Sequence, residues 1–250
     1  MGEVFIWDTA TNELVDVIKS HSDTVNRIVF HNNYLASGGQ DGQIILRDLA
    51  MHDTFVKRLD GHESQVNMVA FRPSSKLLAS ASGDEIHIWD VEEVQAKHRL
   101  SSEDGAEFLS VAFSPDGLSL AAGDDRGNLR RWETDSWTPL EPLLLIHEAG
   151  ITDLAYHPRE PLLASGSFNQ SIIFWDTSSH VVELSRKVLT VSKRESQSVS
   201  TRVVRPIQKI KYTREGVVHF SWIDRFTLLE TERTFIFSDF AGSQRENGLI

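Results

Sequence analysis

A six-residue segment ending in an aromatic–acidic pair recurs along this chain and restricts its fold more than any other feature. EVFIWD (3–8), QIILRD (43–48), EIHIWD (85–90), NLRRWE (128–133) and SIIFWD (171–176) share one pattern. Their terminal acids, Asp8, Asp48, Asp90, Glu133 and Asp176, lie 40, 42, 43 and 43 residues apart. Four of the six tryptophans, Trp7, Trp89, Trp132 and Trp175, fill one column, and Arg47 stands in the fifth place. Self-similarity at this period describes a tandem array of one small unit, each burying its apolar face against the next.

A second column precedes each motif: VNRIVF (25–30), VNMVAF (66–71), FLSVAF (108–113) and ITDLAY (151–156). Turns such as SPDG (114–117) follow, and then the small-residue runs LASGG (35–39), LLASAS (77–82), LAAGDD (120–125) and LLASGS (162–167). Short segments of period-two apolar patterning between regular turns predict antiparallel β-structure. Four such strands use up a unit of this length, so long helices have no room.

Over residues 2–176 the sequence resembles the WD-repeat β-propeller family. The resemblance implies an all-β fold of four-stranded antiparallel blades, here incomplete. The repeat-bearing body is 1–176: a half blade (1–20), then blades 21–60, 61–102, 103–146 and 147–190, the last running past the motif. A basic, Ser-rich insertion (191–206) separates these from a degenerate fifth blade (207–240) and a tail (241–250). In that fifth blade, 207–212 is expected innermost, followed by 217–222, 226–230 and 233–240. Seven blades of about 40–45 residues would need about 290 residues. The chain is shorter, so either five blades close with rearranged ends or an unclosed arc takes strands from upstream sequence, a partner or self-association; the second is expected, since open strand edges invite pairing.

The resemblance also implies a hydrogen-bonded cluster in each blade: His before the first strand, Ser on the second, Asp in the next turn and Trp on the third. The matching residues are His21, Ser37 and Asp41 in blade one, with Arg47 in the Trp place. They are His62, Ser80, Asp84 and Trp89 in blade two, and His147, Ser165, Asn169 and Trp175 in blade four. Blade three keeps only Trp132, with Asp104, Ala122 and Arg126 in the other places, and should be the weakest. An indole N–H and a buried imidazole need partners once out of water, and losing one costs about 1–3 kcal/mol. A structural role for these histidines follows, because one per blade keeps them apart.

Composition narrows the function. Cysteine is absent, which removes disulfides, thiol nucleophiles and thiolate metal sites. No apolar run approaches the roughly 20 residues of a membrane-spanning helix, and MGEVFIWD lacks the flanks of a secretory signal; a cytoplasmic or nuclear location is expected. Residues 1–176 carry 13 Lys and Arg against 28 Asp and Glu, whereas 177–250 carry 12 against 8. The acidic body argues against a general nucleic-acid binder and for a partner with a basic contact surface. The basic segment 186–214 leaves RNA or another anionic surface as an alternative. No nucleotide-loop, metalloprotease or nucleophile-elbow motif occurs, so no catalytic, cofactor-binding or metal residue is expected; a hydrolase on the same scaffold is the other class.

The expected activity is therefore a non-enzymatic interaction scaffold or sensor, possessing loops on rigid sheets. The resemblance implies a contact face at the His-bearing loops and the turns between second and third strands, with Gln40, Asp124, Asp125, Arg126 and Phe168 as the expected contact residues. Phe168 is the candidate anchor, since an aromatic in an exposed turn suits an interface.

Overall fold

Strands of two to eight residues alternate with short turns in the computed structural model, which describes residues 2–50, 56–140, 144–145, 147–178, 183–190, 209–212, 218–221 and 234–235. The half blade pairs β1 (Gly2–Trp7) with β2 (Leu14–His21) antiparallel. Blade one runs β3 (Val25–His31), β4 (Tyr34–Gly39), β5 (Ile44–Asp48) and β6 (Val56–Leu59), paired in that order. Blade two repeats the meander with β7 (Met68–Phe71), β8 (Leu77–Ser82), β9 (Glu85–Asp90) and β10 (Gln95–Ser101). Blade three consists of β11 (Phe108–Phe113), β12 (Ser119–Asp124), β13 (Asn128–Glu133) and β14 (Leu144–Leu145). Blade four consists of β15 (Ile151–Tyr156), β16 (Leu162–Ser167), β17 (Ser171–Asp176) and β18 (Glu183–Thr190).

The core lies between successive sheets. Ala79, Ala81, Ile86 and Ile88 of blade two pack against Val111, Phe113 and Trp132 of blade three. Ala36, Ile44 and Leu46 of blade one meet Val69 and Trp89 of blade two in the same way. Each large side chain so buried contributes about 1.5–3 kcal/mol relative to exposure. The small-residue second strands are what let neighbouring blades approach. A Cβ on Gly38 would stand 2.6 Å from Val66 Cγ1, and one on Gly123 would stand 2.5 Å from Ile151 Cγ2, so each glycine admits the next blade's first strand.

Polar side chains tie the first strands together. Asn26 donates to the Val66 carbonyl, Asn67 to the Phe108 carbonyl and Ser110 to the Ile151 carbonyl, each at 2.9 Å. These ties satisfy main-chain acceptors that the meander leaves free at each blade's inner end.

The last sheet departs from expectation. Its strands are β19 (Lys209–Tyr212), β20 (Val218–Ser221) and β21 (Thr234–Phe235), in the order β20-β19-β21. β20 lies beside β15 and β16, so β19 is central instead of innermost, which corrects the expected order. The insertion 191–206, the segment 226–230 and the tail 241–250 lie outside the described residues.

Candidate protein-interaction face

In a four-stranded meander, the loop entering the first strand and the turn between second and third strands come to one end of the sheet. Three of these turns have three residues: Gln40-Asp41-Gly42, Asp125-Arg126-Gly127 and Phe168-Asn169-Gln170. Each closes with a hydrogen bond from its third residue back to the last residue of the second strand, at 3.2, 3.2 and 3.0 Å. The third residue lies in the left-handed region (φ 74°, 84° and 64°), as this hairpin loop requires. Blade two has only Gly83-Asp84 between paired Ser82 and Glu85.

That one-residue difference decides the polar clusters. In blade one, His21 Nε2 bonds Ser37 Oγ at 2.8 Å and Nδ1 bonds Asp41 at 3.0 Å. Burial pushes the Asp41 carboxyl up, but hydrogen bonds from His21, Ser22 N–H and Gln43 N–H outweigh it and hold the group below the ordinary range. Arg47, buried in the Trp place, reaches Asp16 of the half blade at 3.4 Å. In blade four, His147 lies between Ser165 Oγ and Ser171 Oγ, both at 2.8 Å; Ser171 donates to Asn169 at 2.5 Å, and Trp175 Nε1 donates to Ser165 at 3.0 Å. Burial pushes His147 down to about 4, against the opposing effect of a hydrogen bond to the Asn169 side chain.

Blade two keeps three of the four expected members. His62 bonds Ser80 at 2.6 Å, and Trp89 Nε1 donates to the same oxygen at 2.7 Å. Asp84 is exposed and does not join them, correcting its assignment; the two-residue turn points it outward. His87 fills the space instead, stacked on His62 with ring centroids 4.0 Å apart. Burial first, then the neighbouring His87 and Arg99, push His62 down to about 3.

Blade three holds a network that sequence reasoning missed. Asp124 is fully buried and accepts from Arg126 N–H, Asn128 N–H and Asn128 Nδ2 at 3.0, 2.8 and 2.7 Å. Arg130 lies 3.5 Å from Asp124 and bonds Asp104 at 2.9 Å, its guanidinium over the Phe108 ring. Asp124 is thus no contact residue, which corrects the expected face. It stands two residues before the usual Asp column, at the last place of the second strand, where it caps the turn from inside. The signal was present in Asn128 and Arg130, donors two residues apart on the strand leading to Trp132.

The other face residues are exposed, and their backbones are held alike. Gln40 N–H donates to the Thr24 carbonyl at 2.8 Å, Asp125 N–H to Glu107 at 2.8 Å and Phe168 N–H to Gly150 at 3.0 Å. Each turn is thereby pinned to the loop entering its own blade, and the Asp125 carboxylate adds a second tie by accepting from Glu107 N–H at 2.9 Å. Phe168 is 45% exposed. Exposed carboxylates surround these turns: Asp23, Glu63, Asp84, Glu103 and Glu148, with Arg126 as the opposing cation, 3.9 Å from Asp104. Among the described residues no three His, Asp or Glu gather to hold a metal, and no helix is long and apolar enough to cross a membrane.

The WD domain, G-beta repeat model matches residues 12–48, 53–90, 96–133 and 141–176. The chain belongs to the WD-repeat family. Its repeats are 29% identical over 196 residues to cell division cycle 20.5, cofactor of APC complex, of Arabidopsis thaliana, covering 72% of this chain and 42% of that one. They are 26% identical over 195 residues to target of rapamycin complex subunit wat1 of Schizosaccharomyces pombe, covering 74% and 62%. The chain thus spans roughly two fifths to three fifths of these relatives. A crystal structure of the mitotic checkpoint complex holds a chain of the same fold, with a TM-score of 0.70 at 20% identity over 77% of this chain and 60% of that one. The propeller-type arrangement of antiparallel WD-repeat sheets is therefore the fold of this protein.

Proposed function

We propose that this WD-repeat protein is a non-enzymatic scaffold that holds a Lys- or Arg-bearing segment of another protein across the loop end of its blades. The observation that carries this reading is the equivalent, backbone-pinned presentation of Gln40, Asp125 and Phe168 beside exposed carboxylates. A rigid sheet behind such loops limits the entropy lost on binding. An aromatic anchor with a charged rim is the composition of an interface. Relatives named as a cofactor of one complex and a subunit of another support a role in assembly.

The test is capture from lysate by the intact chain, with the bound protein identified and then titrated in purified form. Phe168→Ala should weaken that binding by more than about tenfold, while the melt stays within about 0.5 kcal/mol of wild type. Asp125→Lys should slow association and flatten its salt dependence. Undiminished binding by both variants would remove the face; turnover of generic ester or phosphate substrates would remove the non-enzymatic reading.

A further inference from the structure

Blade two fastens its loop end differently from blades one, three and four. In those three, the first residue of the turn after the second strand, Gln40, Asp125 or Phe168, donates its N–H to the loop entering the blade. Among the described residues Gly83, in the same place of blade two, makes no such bond. The first strand is shorter as well. β7 starts at Met68, whereas β3, β11 and β15 start two places earlier in the repeat, at Val25, Phe108 and Ile151. Side chains hold the loop 61–65 instead. Ser82 Oγ donates to the Ser64 carbonyl at 2.8 Å, a bond that blade four also has, from Ser167 to Ala149. The rest falls to His62, bonded to Ser80 and stacked on His87.

The two stacked rings are unequally supported. His87 is fully buried; its Nε2 lies 2.7 Å from Glu85, and its Nδ1 has no hydrogen-bond partner. It stands in the column of Ile45 and Ile173, side chains that carry no proton to exchange. His62 is half-buried, and among the described residues no carboxylate pairs with it, whereas His21 of blade one has Asp41 at 3.0 Å. The other charged groups around the pair are exposed: Arg99 opposite His87 on β10, Asp60 and Glu63 flanking His62, and Asp84 in the turn. Two imidazolium rings with centroids 4.0 Å apart would repel strongly where little water screens them.

We infer that the stack of His62 on His87 is a proton-operated latch, which holds the loop 61–65 against blade two at neutral pH and lets it go in mild acid. Burial first, then His87 and Arg99, keep His62 at about 3 while the latch is closed, and a released imidazole titrates near 6.5. Between those values the released form binds more protons. Closure is therefore firmest above about pH 6.5, and release becomes about thirtyfold more favourable from pH 7.5 to pH 5. His147 is pushed down as well, but the bond from Phe168 N–H to the Gly150 carbonyl keeps the loop of blade four in place. Glu63 and Asp84 lie on the two segments the latch joins, so acid reshapes the loop end at blade two whatever binds there.

The test is amide hydrogen exchange on the intact 250-residue chain, with rates corrected for intrinsic exchange at each pH. Val66 and Asn67 donate to the Gly39 and Ala81 carbonyls at the foot of the loop. From pH 7.5 to pH 5 their protection should fall about thirtyfold. The Gln40, Asp125 and Phe168 amides should change by less than about threefold. His62→Gln keeps a polar group beside Ser80 without a charge and should abolish the acid response, whereas His147→Gln should leave it intact. Near-ultraviolet circular dichroism shows whether each variant folds, and the comparison between blades within the wild-type chain decides the matter if His62→Gln does not. Unchanged protection at Val66 and Asn67 would overturn the latch. So would an equal loss in every blade, or a full acid response in His62→Gln.

Discussion

Blades three and four share strand order, turn length and a tryptophan in the same column, yet they fill the space behind the turn with different chemistry. Blade four sets the imidazole of His147 between two hydroxyls, with Trp175 donating to one of them. Blade three has Ala122 where blade four has Ser165, and uses Asp104, Arg130, Asp124 and Asn128. What the fold demands at this place is a complete set of partners for the buried turn, and either a neutral or an ionic set meets it. The two solutions differ in how they fail: the neutral one by protonation, the ionic one by loss of a charge.

Four measurements would break or sharpen that contrast. Trp175→Ala should cost about 4 kcal/mol in denaturant unfolding, because it removes a fully buried ring and leaves a cavity; a loss under about 1 kcal/mol would show that the cluster does not hold the blade. Asp124→Ala should cost about 3 kcal/mol, since Arg130 and three N–H donors lose their acceptor. The adjacent Asp125→Ala serves as the exposed comparison.

Acid should act through blade four and blade two. An unfolded histidine titrates near 6.5, while folded His147 titrates at about 4 and His62 at about 3. Between those values the unfolded chain binds more protons, so stability is full above about pH 6.5 and falls as pH drops towards 4. For His147 the loss is on the order of 3 kcal/mol at pH 4, read from melts between pH 7 and 4. His147→Gln should flatten that slope while lowering stability at neutral pH. The smallest effect is expected at Arg126, whose exposed approach to Asp104 contributes little; Arg126→Ala should stay within about 0.5 kcal/mol.

Much of the fold was legible because period-two patterning and repeat spacing are local properties. The columns from Val25 to Phe30 and from Ser171 to Asp176 read directly as first and third strands. The clusters at His21 and His147 were legible for the same reason, since turn length keeps their members in register. Asp84 misled because one deleted residue changes a turn from three residues to two and reverses where the side chain points. Asp124 misled because an exposed and a buried carboxylate look alike in sequence. Its burial depends on Arg130, six residues on and across the hairpin.

The spacing of its Trp-Asp columns, read with the period-two patterning between them, determined that this chain folds as successive four-stranded sheets, because four short alternating strands fill a unit of about 40 residues and leave no room for long helices. Which polar side chains turn inward, and which first strand is left uncovered, were decided only by tertiary structure. Burial belongs to the neighbouring sheet and not to the residue: Phe113 and Phe30 occupy one column, and the difference between them is whether two strands stand beside them.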